Sequence, residues 1–108
     1  MATTYKVLGQ SNPAATTATT LYTVPAATST VVSSIVVANL GLTTNIRIAV
    51  RPAGAALANQ HYNFYDVTLG QYDSLCFTLG ITLAATDVVT VYAGTATVAF
   101  SLYGSELS

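Results

Sequence analysis

Apolar and polar positions alternate along much of this chain, and that alternation predicts β-strands. Ile46, Ile48 and Val50 alternate with polar or small residues, so their side chains fall on one face of an extended segment. Residues 98–102 repeat the same period, with valine, phenylalanine and leucine on one side. No segment carries the 3.6-residue period of an amphipathic helix. The chain is therefore expected to be all-β, with these apolar side chains facing a core.

Glycine and proline separate the apolar segments and set their order. Residues 21–24 and 31–39 are predicted strands on either side of a proline break. Residues 61–69 and 75–79 flank a loop of about four residues and are expected to pair as a hairpin. About seven or eight short strands at this spacing predict a single antiparallel β-sandwich, of immunoglobulin-like or jelly-roll type. The pattern leaves the choice between these two topologies open.

Residues 1–20 differ from the rest of the chain. Their second part, GQSNPAATTATT at residues 9–20, is small and polar and has no period of either kind. We therefore expect an extended N-terminal arm over residues 1–20 and one β-sandwich domain over residues 21–108. A chain of 108 residues has the size of one domain with a core of its own.

Charge is scarce, and its scarcity excludes several partners. Charged residues make up 6% of the chain, against about 25% in ordinary globular proteins, and apolar residues make up 52%. Three cations and a net charge of −1 argue against a nucleic-acid partner. No apolar run is long enough to span a bilayer and no signal peptide is visible, so we expect no membrane partner and synthesis in the cytoplasm.

The residues that perform chemistry are few and scattered. His61 and Asp66 lie five positions apart on one predicted strand, so without a bulge they face opposite sides and cannot act as a pair. Asp73 and Asp87 adjoin turns, where short carboxylates cap backbone amides. Cys76 lies in an apolar run and is expected to be buried. With no metal-ligand spacing and no phosphate-binding loop, we expect no catalytic residues, no metal, no cofactor and no enzymatic activity.

Six residues are candidates for a partner interface. Arg47 and Arg51 share the outward face of their strand, either as rim contacts to a partner or as solvated side chains. Seven of the ten aromatic residues are tyrosine, a type enriched at interfaces and at sugar-binding sites. Tyr62, Tyr65 and Tyr72, together with His61, surround the predicted hairpin. They either border the core or form a patch that contacts another subunit or a glycan.

Several stretches resemble small β-sandwich structural proteins of tailed bacteriophages. The similar strings are KVLGQSNPAATT with LYTVPAATSTVVSSIVVAN, IRIAVRPAGAALANQHY with YDVTL, and LGITLAATDVVTVYAG with FSLYGSEL. Together they cover most of the chain. No motif of functional residues accompanies the resemblance, so it implies no site residues.

The resemblance implies a non-enzymatic virion protein present in many copies. Our leading expectation is a capsid decoration or cement protein that binds across major capsid protein subunits and stabilises the head. A surface this poor in ions is easily covered by neighbours, so we also expect a homo-oligomer. The alternative is a tail, neck or fibre module that binds other virion proteins or a host-surface glycan. A wall hydrolase is disfavoured because no acid–base pair is visible.

Overall fold

A computed structural model describes residues 2–108, excluding the side chain of Leu79. Residues 2–108 form eight strands and two short 3-10 turns. The strands are β1 (Thr3–Ser11), β2 (Thr19–Thr23), β3 (Ser29–Asn39), β4 (Thr44–Arg51), β5 (Tyr62–Leu69), β6 (Ser74–Leu83), β7 (Val88–Ala93) and β8 (Val98–Leu107), and the turns are Pro52–Gly54 and Asn59–His61. The all-β prediction is therefore confirmed.

The strands form two four-stranded antiparallel sheets that pack face to face. Sheet A has the order β1-β8-β3-β6, and sheet B has the order β2-β7-β4-β5. The first strand pairs with the last, the second with the seventh, the third with the sixth and the fourth with the fifth. A long hairpin rolled up on itself produces this order, which defines a jelly roll. The sandwich is confirmed, and of its two topologies the chain adopts the jelly roll.

The core lies between the two sheets and is built from alternate side chains. Ile46 and Ile48 of β4 are at most 2% exposed, and Val98, Phe100 and Leu102 of β8 are equally buried. Burying a side chain of this size contributes about 1.5–3 kcal/mol. The inward faces read from the period of two are therefore confirmed for both strands.

The expected N-terminal arm is wrong for most of its length. Thr3–Ser11 forms β1, which pairs with β8 through eight residue pairs, and Thr19 and Thr20 begin β2. Residues 12–18 are the connection between these strands, and Met1 lies outside the described residues. The physical reason is that β1 is an edge strand with one buried side chain, Leu8. Its sequence therefore needs little hydrophobicity to form a strand.

The predicted hairpin of residues 61–79 is also wrong. Although β5 and β6 are joined by a short turn, β5 pairs with β4 in sheet B and β6 pairs with β3 in sheet A. The connection crosses from one sheet to the other. Phe64 of β5 and Phe77 of β6 stack with their centroids 4.3 Å apart. Their apolar faces therefore meet across the core, whereas strands of a hairpin lie side by side.

Cys76 is exposed, so its predicted burial is wrong. It lies on β6, an edge strand of sheet A, between Leu75 and Phe77, which are partly buried against the core. Because side chains alternate along a strand, these two inward neighbours direct Cys76 away from the core. The apolar run therefore marks a strand with one buried face.

Candidate functional site

The charged side chains of residues 2–108 occupy three places. Lys6 and Glu106 lie at an edge between the sheets, Arg47, Arg51 and Asp66 lie on the outer face of sheet B, and Asp73 and Asp87 lie in turns. Within that range none of them lies on the outer face of sheet A. The two broad faces of the sandwich therefore differ in chemistry.

Uncharged side chains, most of them small, cover the outer face of sheet A. The pairing register places Tyr5, Ser105, Val31 and Thr82 side by side across its four strands. The parallel rows further along the face contain Val7, Tyr103 and Thr78, then Gln10, Ser101, Val36 and Cys76, then Ala99, Ala38 and Ser74. Tyr5 is 84% exposed and is the most prominent side chain of this face.

Three large apolar side chains project from one end of the sandwich. Leu40, Leu42 and Tyr72 are 68%, 71% and 75% exposed. The backbone N–H of Tyr72 donates to the carbonyl of Gly41 at 3.2 Å, which brings the two loops together. We call these three residues the apolar tip. Tyr72 has a φ of 55°, a left-handed conformation that is unusual for a bulky residue and is held by its surroundings.

Asn39 holds the loops of the apolar tip in place. Its side chain is 3% exposed and lies at the end of β3. The amide nitrogen donates to the carbonyls of Leu42 (2.8 Å), Gly70 (2.9 Å) and Leu69 (3.3 Å), and the amide oxygen accepts from Gly41 N–H and the Thr97 hydroxyl (3.0 Å each). One buried amide thus connects the β3–β4, β5–β6 and β7–β8 loops. Sequence reasoning missed it, although a polar residue before Leu40 and Gly41 was a signal.

Arg47 is the centre of a polar and aromatic cluster on the outer face of sheet B. Its guanidinium lies 4.2 Å from the ring centroid of Tyr65 and 4.3 Å from that of Tyr92. The Nε and Nη2 atoms donate to the two carboxylate oxygens of Asp66, at 2.6 and 3.3 Å. These hydrogen bonds lower the pKa of Asp66 and raise the pKa of Arg47. The predicted outward position of Arg47 is correct, and here it binds its own chain.

A bulge in β5 assembles this cluster. Ile46 pairs with Val67 and Ile48 pairs with Phe64, so Arg47 is opposite two residues of β5. Asp66 has a φ of 52°, the left-handed conformation that such a bulge uses. Tyr65 and the Asp66 carboxylate therefore both reach Arg47 from successive positions, as a regular strand would not allow.

His61 takes no part in this cluster, despite the bulge. It ends the 3-10 turn Asn59–His61 and is 9% exposed. Its Nδ1 atom accepts a hydrogen bond from the backbone N–H of Ala58 at 3.0 Å. The imidazole therefore closes a turn, and the structure does not bring it together with Asp66 as an acid–base pair.

Tyr62 and Tyr65 line a cavity at the start of β5. Their rings are nearly perpendicular, with an interplanar angle of 83° and centroids 4.9 Å apart. Together with Asn59 they surround a cavity of about 460 Å³ that opens to solvent. We call it the tyrosine cavity. Tyr72 lies beyond the other end of β5, some 20 Å or more along the strand at about 3.3 Å per residue. The three predicted interface tyrosines therefore belong to two surfaces.

Three further charged side chains, Arg51, Asp73 and Asp87, bind loop or turn segments of their own chain. Arg51 donates to the Thr90 hydroxyl and to the carbonyl of Ala55, each at 3.0 Å. Asp87 accepts from the backbone N–H groups of Ala53 and Ala84, at 2.8 and 2.9 Å. Asp73 accepts from the N–H of Ser74 at 2.8 Å. The predicted capping roles of both aspartates are confirmed.

Comparison with protein families, curated proteins and solved structures found no match to this chain. The interpretation of its surfaces therefore rests on their own chemistry. Across residues 2–108, no group of three or more histidine, cysteine, aspartate or glutamate side chains is placed to hold a metal ion. The same part of the chain contains no helix long and apolar enough to cross a membrane.

A partly buried polar cluster closes one edge between the two sheets. The Tyr22 hydroxyl donates to Glu106 at 2.5 Å and lies 2.8 Å from the Thr30 hydroxyl, while Lys6 pairs with Glu106 at 3.3 Å. The hydrogen bond from Tyr22 lowers the pKa of Glu106. Burial, followed by the bond to Glu106, raises the pKa of Tyr22 to about 12. The cluster thus links β2 of sheet B to β8 of sheet A.

This cluster predicts a loss of stability at alkaline pH. The folded state favours the protonated tyrosine, so its contribution is complete below pH 10.0, the ordinary pKa, and is lost as the pH rises towards about 12. The loss attributable to Tyr22 is about 2 kcal/mol. Unfolding free energies measured across this range should fall more steeply for the natural chain than for Tyr22→Phe. Equal slopes for the two proteins would contradict the assignment.

Proposed function

We propose that this protein is a structural component of a bacteriophage virion that binds the head as a capsid decoration protein. The observation that carries the proposal is the outer face of sheet A, which presents four strands without a charged side chain. In this arrangement sheet A packs against major capsid protein subunits, and neighbouring copies of the chain complete the layer. The resemblance of the sequence to phage structural proteins supports the virion as the setting.

Physical chemistry supports a docking role for that face. Binding requires both partners to give up hydration and side-chain freedom. Serine, threonine, alanine and valine have few rotamers to lose and no ionic hydration to surrender. Soluble monomers, by contrast, present surfaces with roughly 25–35% charged residues. Binding a partner over the outer face of sheet A therefore costs little free energy of dehydration and little side-chain entropy.

The size of the surface is also compatible with docking. Four strands about 4.8 Å apart, each about eight residues long at about 3.3 Å per residue, make a face of roughly 500 Å². The apolar tip adjoins this face, because Leu40 follows β3 and Tyr72 precedes β6, and both strands belong to sheet A. Together the two surfaces approach the roughly 800 Å² per partner of a standard protein interface. Jelly rolls also occur in viral capsids, an analogy of fold that by itself assigns no function.

A lysine in the middle of the face tests the proposal. Ser101 lies on β8, between β1 and β3, and is half-buried. Ser101→Lys places an unpaired charge at the centre of the contact, so binding to capsids should weaken by about tenfold or more. Occupancy is measured by incubating purified protein with phage heads that lack it and quantifying the bound copies.

The control is the same kind of charge on the other sheet. Thr68 is exposed on β5 of sheet B, so Thr68→Lys should bind heads like the natural chain. Equal binding by both variants would refute docking through sheet A. Copy number distinguishes the alternative site in the virion: hundreds of copies per particle support the head, whereas a few copies place the protein in the neck, tail or fibre.

A further inference from the structure

We propose that the tyrosine cavity on sheet B binds a neutral saccharide. The inference goes beyond the structural role and does not depend on it. The cavity lies on β5 of sheet B and the preceding turn, whereas the proposed docking face lies on sheet A. A chain attached through sheet A would therefore keep the cavity open to solvent.

The walls of the cavity have the shape that a sugar ring requires. Tyr62 and Tyr65 meet almost at a right angle and form an aromatic corner. A pyranose presents C–H groups on its faces and hydroxyls around its rim, so one ring can stack under it while the other borders its edge. Tyr65 is 56% exposed, which leaves surface available for contact. A volume of about 460 Å³ lies within the usual range for small-molecule sites, roughly 300–1,000 Å³.

The corner is held in place before any ligand arrives. The Arg47 guanidinium lies against the ring of Tyr65 and is itself fixed by two hydrogen bonds to Asp66. Asn45 donates a further hydrogen bond to Asp66 at 2.8 Å. The β5 bulge directs Tyr65 and Asp66 to this side of the sheet, and bulges commonly re-aim side chains next to binding sites. A preorganised site loses little ordering entropy when it binds.

The electrostatics favour a neutral ligand. Arg47 contacts the ring of Tyr65, one wall of the cavity, and its charge is balanced by the paired carboxylate of Asp66. An anionic ligand would have to displace that carboxylate, and a cationic ligand would meet the guanidinium. An apolar ligand would gain little from a cavity that stays open to water. With anionic, cationic and apolar ligands disfavoured, the cavity best fits a neutral ligand with hydroxyls around a ring that has C–H faces.

Polar groups around the cavity are available to sugar hydroxyls. Among the hydrogen bonds of residues 2–108, none involves the side chain of Asn59 or the hydroxyls of Tyr62 and Tyr65. The amide of Asn59 offers two donors and an acceptor, and each tyrosine hydroxyl offers one donor and an acceptor. This combination can bind adjacent hydroxyls of one sugar while the rings contact its C–H face.

Saturation-transfer NMR with defined sugars tests the proposal. The probes are the methyl glycosides of glucose, galactose, mannose and N-acetylglucosamine, with N-acetylneuraminic acid as an anionic comparison. At least one neutral glycoside should receive saturation from the protein. In the amide spectrum of the protein, the same glycoside should shift the backbone N–H signals of residues 59–66. Tyr65→Ala should weaken that binding by about tenfold or more, and Asn59→Ala, which leaves the aromatic corner intact, by about threefold or more.

Tyr72→Ala is the matched control, because it removes an exposed tyrosine from the apolar tip and should leave sugar binding unchanged. The amide spectra of all variants report whether they are folded. Three results would overturn the proposal: no saturation transfer to any neutral glycoside, undiminished binding by folded Tyr65→Ala and Asn59→Ala, or binding of the anionic sugar alone. Binding to capsids, measured separately, is unaffected by these outcomes.

Discussion

Replacing Asn39 with alanine is expected to lower the free energy of unfolding by about 3–5 kcal/mol. The substitution removes five hydrogen bonds and leaves the carbonyls of Leu42, Leu69 and Gly70 without their common donor. A buried polar group without a partner costs about 1–3 kcal/mol, and water entering the vacated space offsets only part of that loss. The effect is large beside the total stability of an ordinary domain, about 5–15 kcal/mol.

Urea denaturation followed by circular dichroism measures this loss. Asn63 provides the matched control, because it is an exposed asparagine on β5. Asn63→Ala should change the free energy of unfolding by no more than about 0.5 kcal/mol. A loss below about 1 kcal/mol in Asn39→Ala would show that the buried amide is not the principal connection among the three loops.

The same residue also bears on the proposed docking surface. Leu40 and Leu42 lie within three positions of Asn39, and the Tyr72 turn begins at Gly70, whose carbonyl Asn39 binds. Exposed apolar side chains on a loosely held loop would lose ordering entropy on contact with a partner. A buried amide that fixes all three loops removes much of that cost. The position of Asn39 thus connects the interior of the fold to its exposed apolar tip.

The fold class could be predicted from local patterns, because strand formation depends on them. The period of two at Ile46, Ile48 and Phe100 reports which side chains are buried, whatever strand lies next to them. It carries no information about which sheet a strand joins. The turn at residues 70–73 is short enough for a hairpin, and the pairing of β5 with β4 and of β6 with β3 shows that it crosses between the sheets. The alternation of apolar and polar residues therefore could not predict the topology of the strands.

Edge strands defeated the pattern for a related reason. An edge strand such as β1 or β6 has fewer buried neighbours, so polar or small residues suffice at most of its positions. Residues 3–11 were therefore predicted to belong to an arm. Cys76 was predicted to be buried because its neighbours are apolar, but alternation along β6 directs it away from the core. In both cases the composition of a short segment was an unreliable measure of burial. The pairing partners, β8 and β3, lie far away in the sequence.

The candidate surfaces could be predicted only in part. Arg47 was predicted to face outward and Tyr65 was a candidate for a partner interface, and the structure brings them together. Their contact depends on an extra residue in β5 and on the left-handed backbone of Asp66, for which an aspartate within a strand is a weak signal. The grouping of Tyr72 with Tyr62 relied on the predicted hairpin, and it is wrong because that hairpin does not form. The sequence could therefore identify individual candidate residues, whereas which of them lie together depends on the topology of the strands.

Gly104→Ala is expected to lower the free energy of unfolding by about 3 kcal/mol or more, or to prevent folding. Gly104 lies in β8, between β1 and β3. A Cβ atom added there would lie 2.1 Å from the carbonyl oxygen of Val31 and 3.0 Å from Cα of Val32. Both are backbone atoms of the neighbouring strand, so relief requires β3 to move. The pairings with Val32 and Ser34 bracket a bulge at this point, which leaves the strand little room.

Gly80 provides the matched control for this prediction, because it is a strand glycine of sheet A with the opposite surroundings. An added Cβ atom at Gly80 meets no heavy atom within 4 Å, and the φ angle of Gly80 is not in the left-handed region. Gly80→Ala should therefore leave stability unchanged or raise it by about 0.4–1 kcal/mol, since alanine restricts the unfolded chain. Thermal and urea unfolding of the two variants measure the contrast. Similar stabilities would mean that β3 can move aside at Gly104, and the close packing of β8 against it would then contribute little to the fold.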